Sequence, residues 1–164
     1  MTISRDIWKT IEIGTHENIW ALMGDTEKEG HKIIREVLLG PSLGGDLSMS
    51  KEKTTIELAK ISVANLGYPD GATTEEILTR ALENCLFPCP AEASFQLRRQ
   101  YGDQPEAEYL YIATNPHWNQ IFYVYNAYSE LWMRRSFCFS NEKWSPESLW
   151  VLALQDTRHL YKPS

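Results

Sequence analysis

The segment Cys85-Leu-Phe-Pro-Cys89-Pro places a thiol immediately before a predicted helix start, where the positive end of the helix dipole favours a thiolate. Its three-residue spacer differs from the two-residue spacer of dithiol oxidoreductases, and no second cysteine pair completes a zinc site. Packing is therefore the simpler reading of both cysteines. A denser set of donors follows in Gln96-Leu-Arg98-Arg99-Gln100-Tyr101-Gly-Asp103-Gln104-Pro-Glu106. Two guanidinium groups at a helix end, with Asp103 and Gln104 in the next turn, have the geometry to grip a carboxylate, a phosphate or a partner's backbone. The competing reading is local: Arg98 or Arg99 bonds the last carbonyls of its own helix, or pairs with Asp103, Glu106 or Glu108.

A third set is aromatic: Tyr109, Tyr111, Trp118, Tyr123, Tyr125, Tyr128 and Trp132. Strand alternation puts Tyr109, Tyr111, Tyr123 and Tyr125 on one sheet face and Leu110, Ile112, Phe122 and Val124 on the other. The aliphatic face is the obvious core face. The tyrosine face either packs under helices or meets a sugar, a base or a partner protein. The four histidines, His16, His31, His117 and His159, share no metal-binding spacing, and neither a phosphate-binding glycine loop nor a nucleophile elbow occurs. No metal or cofactor is expected.

The elements that must position these groups read as follows. Residues 6–13 form a first strand ended by Gly14, and Thr15 caps a short helix that Gly24 ends. Thr26 with Glu29 has capping-box spacing and predicts a second helix through Ile33, Ile34, Val37 and Leu38, stopped by Gly40-Pro41. Residues 54–63 alternate as a strand. Thr73 with Glu76 opens the most strongly patterned helix, carrying Ile77, Leu78, Ala81, Leu82 and Cys85. Pro90 suits the first position of a further helix running to Gln100. Strands around Tyr109–Ala113, Ile121–Tyr125, Leu131–Phe139 and Leu149–Leu154 then read as an antiparallel meander.

The chain has 164 residues, 43% of them hydrophobic and 23% charged, which suits one globular domain and excludes a disordered or disulfide-stapled class. Of 19 aromatic residues only Trp8, Trp20 and Tyr68 precede residue 83, so the aromatic content marks a helical half and a sheet half. The predicted fold is α+β, with helices mainly in residues 15–100 on a mainly antiparallel sheet whose core strands come from residues 107–154. Residues 54–154 form the core of a single domain, and residues 1–50 are expected as a looser helical part. A net charge of −6, with neither half basic, disfavours nucleic acid and anionic membranes. The longest uncharged run, Tyr109–Ser129, is too polar for a membrane span, the first residues lack a signal-peptide core, and three cysteines match a reducing compartment. A cytoplasmic location is expected.

The run Gly71-Ala-Thr-Thr-Glu-Glu-Ile, then Cys89-Pro-Ala-Glu92, Gln96-Leu-Arg98, Gln100-Tyr101, Asp103-Gln104-Pro105 and Tyr109-Leu-Tyr-Ile-Ala, resembles a family of small uncharacterised bacterial proteins over about residues 54–154. The resemblance implies a bacterial or phage cytosolic origin and a self-contained domain, and it carries no activity. The expected function is a non-enzymatic binding or regulatory module for a protein or a small anionic ligand. Its candidate site comprises Arg98, Arg99, Tyr101, Asp103, Gln104, Tyr109, Tyr111, Trp118, Tyr123 and Tyr125. The alternative is a small hydrolase or transferase for a compact anionic substrate, with Arg98 or Arg99 binding the anion and Cys89, His117 or Asp103 supplying the chemistry.

Overall fold

A computed structural model of the chain describes residues 2–34, 48–114, 120–137 and 141–161. Among these the chain runs β1 (Lys9–Ile13), α1 (Ile19–Lys28), β2 (Lys32–Ile33), β3 (Thr54–Ser62), α2 (Thr74–Glu83), α3 (Ala91–Gln100), β4 (Tyr109–Ile112), β5 (Gln120–Ala127), β6 (Glu130–Phe137) and β7 (Leu149–Ala153). The fold is α+β: three helices accompany one seven-stranded, curled mixed sheet in the order β1-β3-β7-β4-β5-β6-β2. Four of the six pairings are antiparallel. The β4–β7 and β2–β6 pairings are parallel.

The helix α3 organises the inner layer. It packs against β1 at one edge and against β5 and β6 toward the other, so the sheet curls around it. Phe95 and Leu97 of α3 meet Ile11, Ile56, Leu58, Leu110, Phe122, Val124 and Val151, all buried, and the Phe95 and Phe122 rings lie 5.6 Å apart. Each such fully buried side chain is worth about 1.5–3 kcal/mol of transfer free energy. On the outer face, α2 places Ile77 and Ala81 over Ile61, Trp150 and Leu152. That helix starts as its spacing predicts: the Thr73 hydroxyl accepts from the Glu76 amide while the Glu76 carboxylate accepts from the Thr73 amide. It covers only part of the outer face.

Several elements depart from the expectations. The first helix is capped by Asn18 rather than Thr15 and runs through Gly24 to Lys28. One interior glycine costs only about 1 kcal/mol, less than the burial of Ile19, Leu22 and Met23 returns. Thr26 therefore lies inside α1, its hydroxyl donating to the Leu22 carbonyl, and does not cap a second helix. Lys32–Ile33 is a short strand, and residues 35–38 lie outside the described residues. Pro90 is the N-cap of α3. The meander ends at β6, because β7 inserts between β3 and β4. Trp150, Val151, Leu152 and Ala153 are all buried, and a strand apolar on both faces belongs at the centre of a sheet. The N-terminal residues are not a loose appendage: Ile11, Ile13, Ile19, Leu22 and Met23 share the core of α3.

Candidate functional site

Seven consecutive residues of α3, Glu92 to Arg98, are buried, including four with polar side chains. Their partners divide by helix face. Glu92, Gln96 and Gln100 recur at a spacing of four residues and form one stripe. The Gln100 amide brackets the β1 backbone: its oxygen accepts from the Glu12 N–H (2.8 Å) and its nitrogen donates to the Glu12 carbonyl (2.9 Å). That nitrogen also donates to Gln96, whose own nitrogen donates to the Glu92 carboxylate and to the Thr15 hydroxyl. Glu92 further accepts from the backbone N–H groups of Gly14 and Ser50 and from the Tyr161 hydroxyl. Gly14 takes a left-handed φ of +72°, and a Cβ there would overlap the Glu52 carbonyl oxygen, so only glycine fits beside this carboxylate.

Arg98 points the other way and is fully buried. Its guanidinium donates to the Gln104 side-chain oxygen (2.7 Å) and to the carbonyls of Tyr101 (2.7 Å), Trp132 (3.1 Å) and Tyr125 (3.4 Å). None of these partners is a carboxylate, and burial pulls its pKa down to about 10. Gln104 is buried and donates onward to the Val124 and Glu108 carbonyls. Tyr101 is buried, donates to Glu108 (2.9 Å) and packs edge-on to Trp8. The expected grip of Arg98, Tyr101 and Gln104 on a ligand is thereby corrected: their donors hold the α3–β4 turn to β5 and β6. Asp103 is exposed on that turn. Arg99 is partly exposed, pairs at 3.0 Å with Glu29, the residue that caps the C-terminus of α1, and lines an open cleft.

The expected split of β4 and β5 into a tyrosine face and an aliphatic face is present. Leu110, Ile112, Phe122 and Val124 are buried beneath α3, while Tyr109 is 43% exposed and Tyr111 and Tyr123 are half-buried. Cross-strand pairing sets Tyr109 opposite Tyr125, Tyr111 opposite Tyr123, and Tyr125 opposite Trp132. The rings stack in series: Tyr109 and Tyr125 at 4.9 Å and 8°, Tyr125 and Tyr123 at 5.4 Å and 21°, Tyr125 and Trp132 at 6.2 Å and 6°. Tyr111 extends the ribbon to Trp144 at 4.6 Å, where the α2 side of the core begins. Arg134 lies exposed opposite Tyr123 on the same face. Trp118 lies outside the described residues.

Beyond the ribbon, the β5–β6 hairpin turns through Tyr128 and Ser129, both left-handed at φ 56° and 60°. Such a two-residue turn normally uses Asn-Gly. Here the Glu106 carboxylate accepts from both turn N–H groups, and the Tyr128 side chain is 93% exposed.

Among the described residues, Cys89 and Asp103 of the enzyme alternative lie apart, one in the core and the other exposed on the α3–β4 turn. Cys89 is buried with its thiol against the Val151 carbonyl, and burial pushes its pKa up to about 12, so it is no nucleophile at neutral pH. His117 lies outside the described residues. Arg134 and Arg135, being consecutive in a strand, face opposite ways, and Arg98 is inside, so these arginines form no common basic surface.

Burial also holds the Tyr101, Tyr111, Tyr123 and Tyr161 hydroxyls above the usual phenol range, with Glu108 adding at Tyr101 and Glu92 at Tyr161. Below pH 9.0 folded and unfolded chains both keep the Cys89 proton, and above it only the folded chain does, so stability falls as pH rises toward 12. The four phenols act in the same sense from pH 10.0. Arg98 and Arg135, whose pKa values burial lowers, act in the opposite sense, two groups against four. The urea midpoint is therefore expected to fall steadily above pH 9, and Cys89→Ala should flatten the first part of that fall. A midpoint constant to pH 11 would contradict these burial assignments.

Among the described residues no helix is long and apolar enough to cross a membrane, and no group of three His, Cys, Asp or Glu side chains could hold a metal ion. The groups that sequence reasoning passed over are Glu92 and its amide stripe, legible in hindsight from their four-residue spacing, and the Thr15–His16 pair, which carries no motif. No protein-family model, curated protein or solved structure matches the chain.

Proposed function

We propose that the protein acts as a binding module that contacts a protein partner through the outer face of β4, β5 and β6. The observation that carries this reading is the mutual stacking of Tyr109, Tyr125 and Tyr123. Parallel rings about 5 Å apart occupy each other's faces, which turns the exposed edge of Tyr109 and part of Tyr123 outward while Tyr125 stays buried among its neighbours. A sugar or a base needs a free ring face on which to stack. A protein surface accepts edges and hydroxyls, and rigid tyrosines with a neighbouring arginine are favoured there because they bring large area at small entropic cost. Arg134 supplies the charged anchor. Tyr128 supplies a large aromatic at the hairpin tip, in a backbone conformation that costs about 1–2 kcal/mol for a non-glycine residue.

That strain yields a discriminating test. Tyr128→Gly is expected to raise stability by about 1 kcal/mol, since glycine takes the left-handed region freely, while weakening partner capture. Tyr109→Ala combined with Arg134→Glu should reduce capture from native lysate at least tenfold with little change in the unfolding midpoint. Lys9→Ala, on β1 away from the ribbon, should change nothing. Equal capture by wild type and the ribbon variants, or no specific capture at all, would overturn this reading.

A further inference from the structure

On the other side of the sheet, where α1 and α3 pack, one group of side chains has no part in the binding face. Thr15 and His16 follow β1, and His16 is wedged between the Thr15 hydroxyl (Oγ1 to Nδ1, 2.7 Å) and the Asp25 carboxylate of α1 (Nε2 to Oδ2, 2.8 Å). The amide orientations along this chain follow from one backbone group. The Glu12 N–H requires an oxygen from Gln100, so the Gln100 nitrogen faces Gln96 and requires an oxygen there. The Gln96 nitrogen is therefore the atom directed at Thr15 Oγ1, at 2.8 Å. Because Asp25 can only accept, neutral His16 carries its proton on Nε2 and presents a bare Nδ1 to the Thr15 O–H. The result is a hydroxyl, a base and a carboxylate that orients the base, in hydrogen-bonded series.

This series is accessible. Thr15 and His16 line an open cleft of about 600 Å³ together with Glu12, Lys53, Glu29 and Arg99. The two cations are paired with the two carboxylates, Lys53 with Glu12 at 3.4 Å and Arg99 with Glu29 at 3.0 Å, so the wall is polar but balanced in charge. The His16 side chain is 12% exposed.

We propose that Thr15, His16 and Asp25 form an acyl-transfer site for small, uncharged, polar esters, distinct from the aromatic binding face and independent of it. In the first step Thr15 Oγ1 forms a bond to the ester carbonyl carbon, the hydroxyl proton moves to His16 Nδ1, and the bond from that carbon to the leaving alkoxide breaks. The leaving group takes the proton from His16, or departs as the anion when it is a stable phenolate, in which case His16 releases that proton to solvent before the second step. Asp25 holds the imidazolium formed in between. In the second step a water oxygen bonds to the acyl carbon, its proton passes to His16, Thr15 recovers its proton, and the carboxylic acid is released. The balance is ester plus water to acid plus alcohol, with no other reactant.

The full chain, incubated with p-nitrophenyl acetate, should release a burst of one p-nitrophenolate per molecule and carry a hydroxylamine-labile acetyl group on Thr15, located by peptide mass spectrometry. His16→Gln should slow that burst by about 10²–10⁴-fold, the range for loss of a general base, and Asp25→Asn by a smaller factor. Thr15→Val, nearly isosteric, should abolish the mark while the circular dichroism spectrum is retained. Acetyl groups confined to lysines, absence of the mark from Thr15 in the folded wild type, or an unchanged burst in His16→Gln would each overturn the proposal. The wild-type measurement needs no variant to fold.

Discussion

Arg98→Ala is expected to lower the free energy of unfolding by about 3–5 kcal/mol, the range for breaking a buried charged network together with truncating a large core side chain. The guanidinium is completely enclosed and serves four acceptors contributed by the α3–β4 turn, β5 and β6. Truncation leaves the Gln104 oxygen and three backbone carbonyls without their donor, each at a cost of about 1–3 kcal/mol before relaxation. It also opens a void between α3 and the sheet. Arg98→Lys should recover little, because one ammonium cannot reproduce a planar fork that reaches acceptors on several sides. Chemical denaturation with both variants measures the effect. A loss below 1 kcal/mol in Arg98→Ala would mean that water replaces the fork and that the turn does not depend on it.

Glu92 is the second site of large expected effect. Its two oxygens accept from Gly14, Ser50, Gln96 and Tyr161, joining the end of β1, the approach to β3, the helix and the chain's last described turn. Glu92→Ala should cost about 3–5 kcal/mol, because several buried donors lose their acceptor at once. Glu92→Gln keeps the shape yet replaces one accepting oxygen by an NH₂ that meets donors, and about 2–3 kcal/mol is expected. Tyr161→Phe removes one donor only and should cost about 1 kcal/mol. Urea titration of the three variants should return that order. If Glu92→Gln proved as stable as wild type, the carboxylate would not be the joint of these segments.

Why Arg98 looks functional in sequence and is architectural in the fold, and why Glu92 carries no functional signal in sequence, follows from where their partners lie. Arg98 bonds to residues up to 34 positions away and Glu92 to residues 42, 69 and 78 positions away. No local pattern announces those partners, and a donor-rich stretch beside a helix end looks the same whether its acceptors belong to a ligand or to the chain. The Thr15–His16–Asp25 series is hidden for a related reason: Asp25 comes within reach only because α1 runs on through Gly24, where local propensity predicts a stop.

Composition and periodicity alone determined the α+β class, the α2 capping box, the α3 helix and the alternation that separates Leu110, Ile112, Phe122 and Val124 from Tyr109, Tyr111, Tyr123 and Tyr125. These depend on neighbours within a turn or a strand, where side-chain direction is dictated by backbone geometry. Only the tertiary structure decided that β7 lies between β3 and β4, that α2 stops short of the tyrosine ribbon, and that Arg98 faces carbonyls instead of solvent. Those outcomes depend on which distant surfaces cover one another, and a buried charge is tolerated only where remote acceptors converge on it.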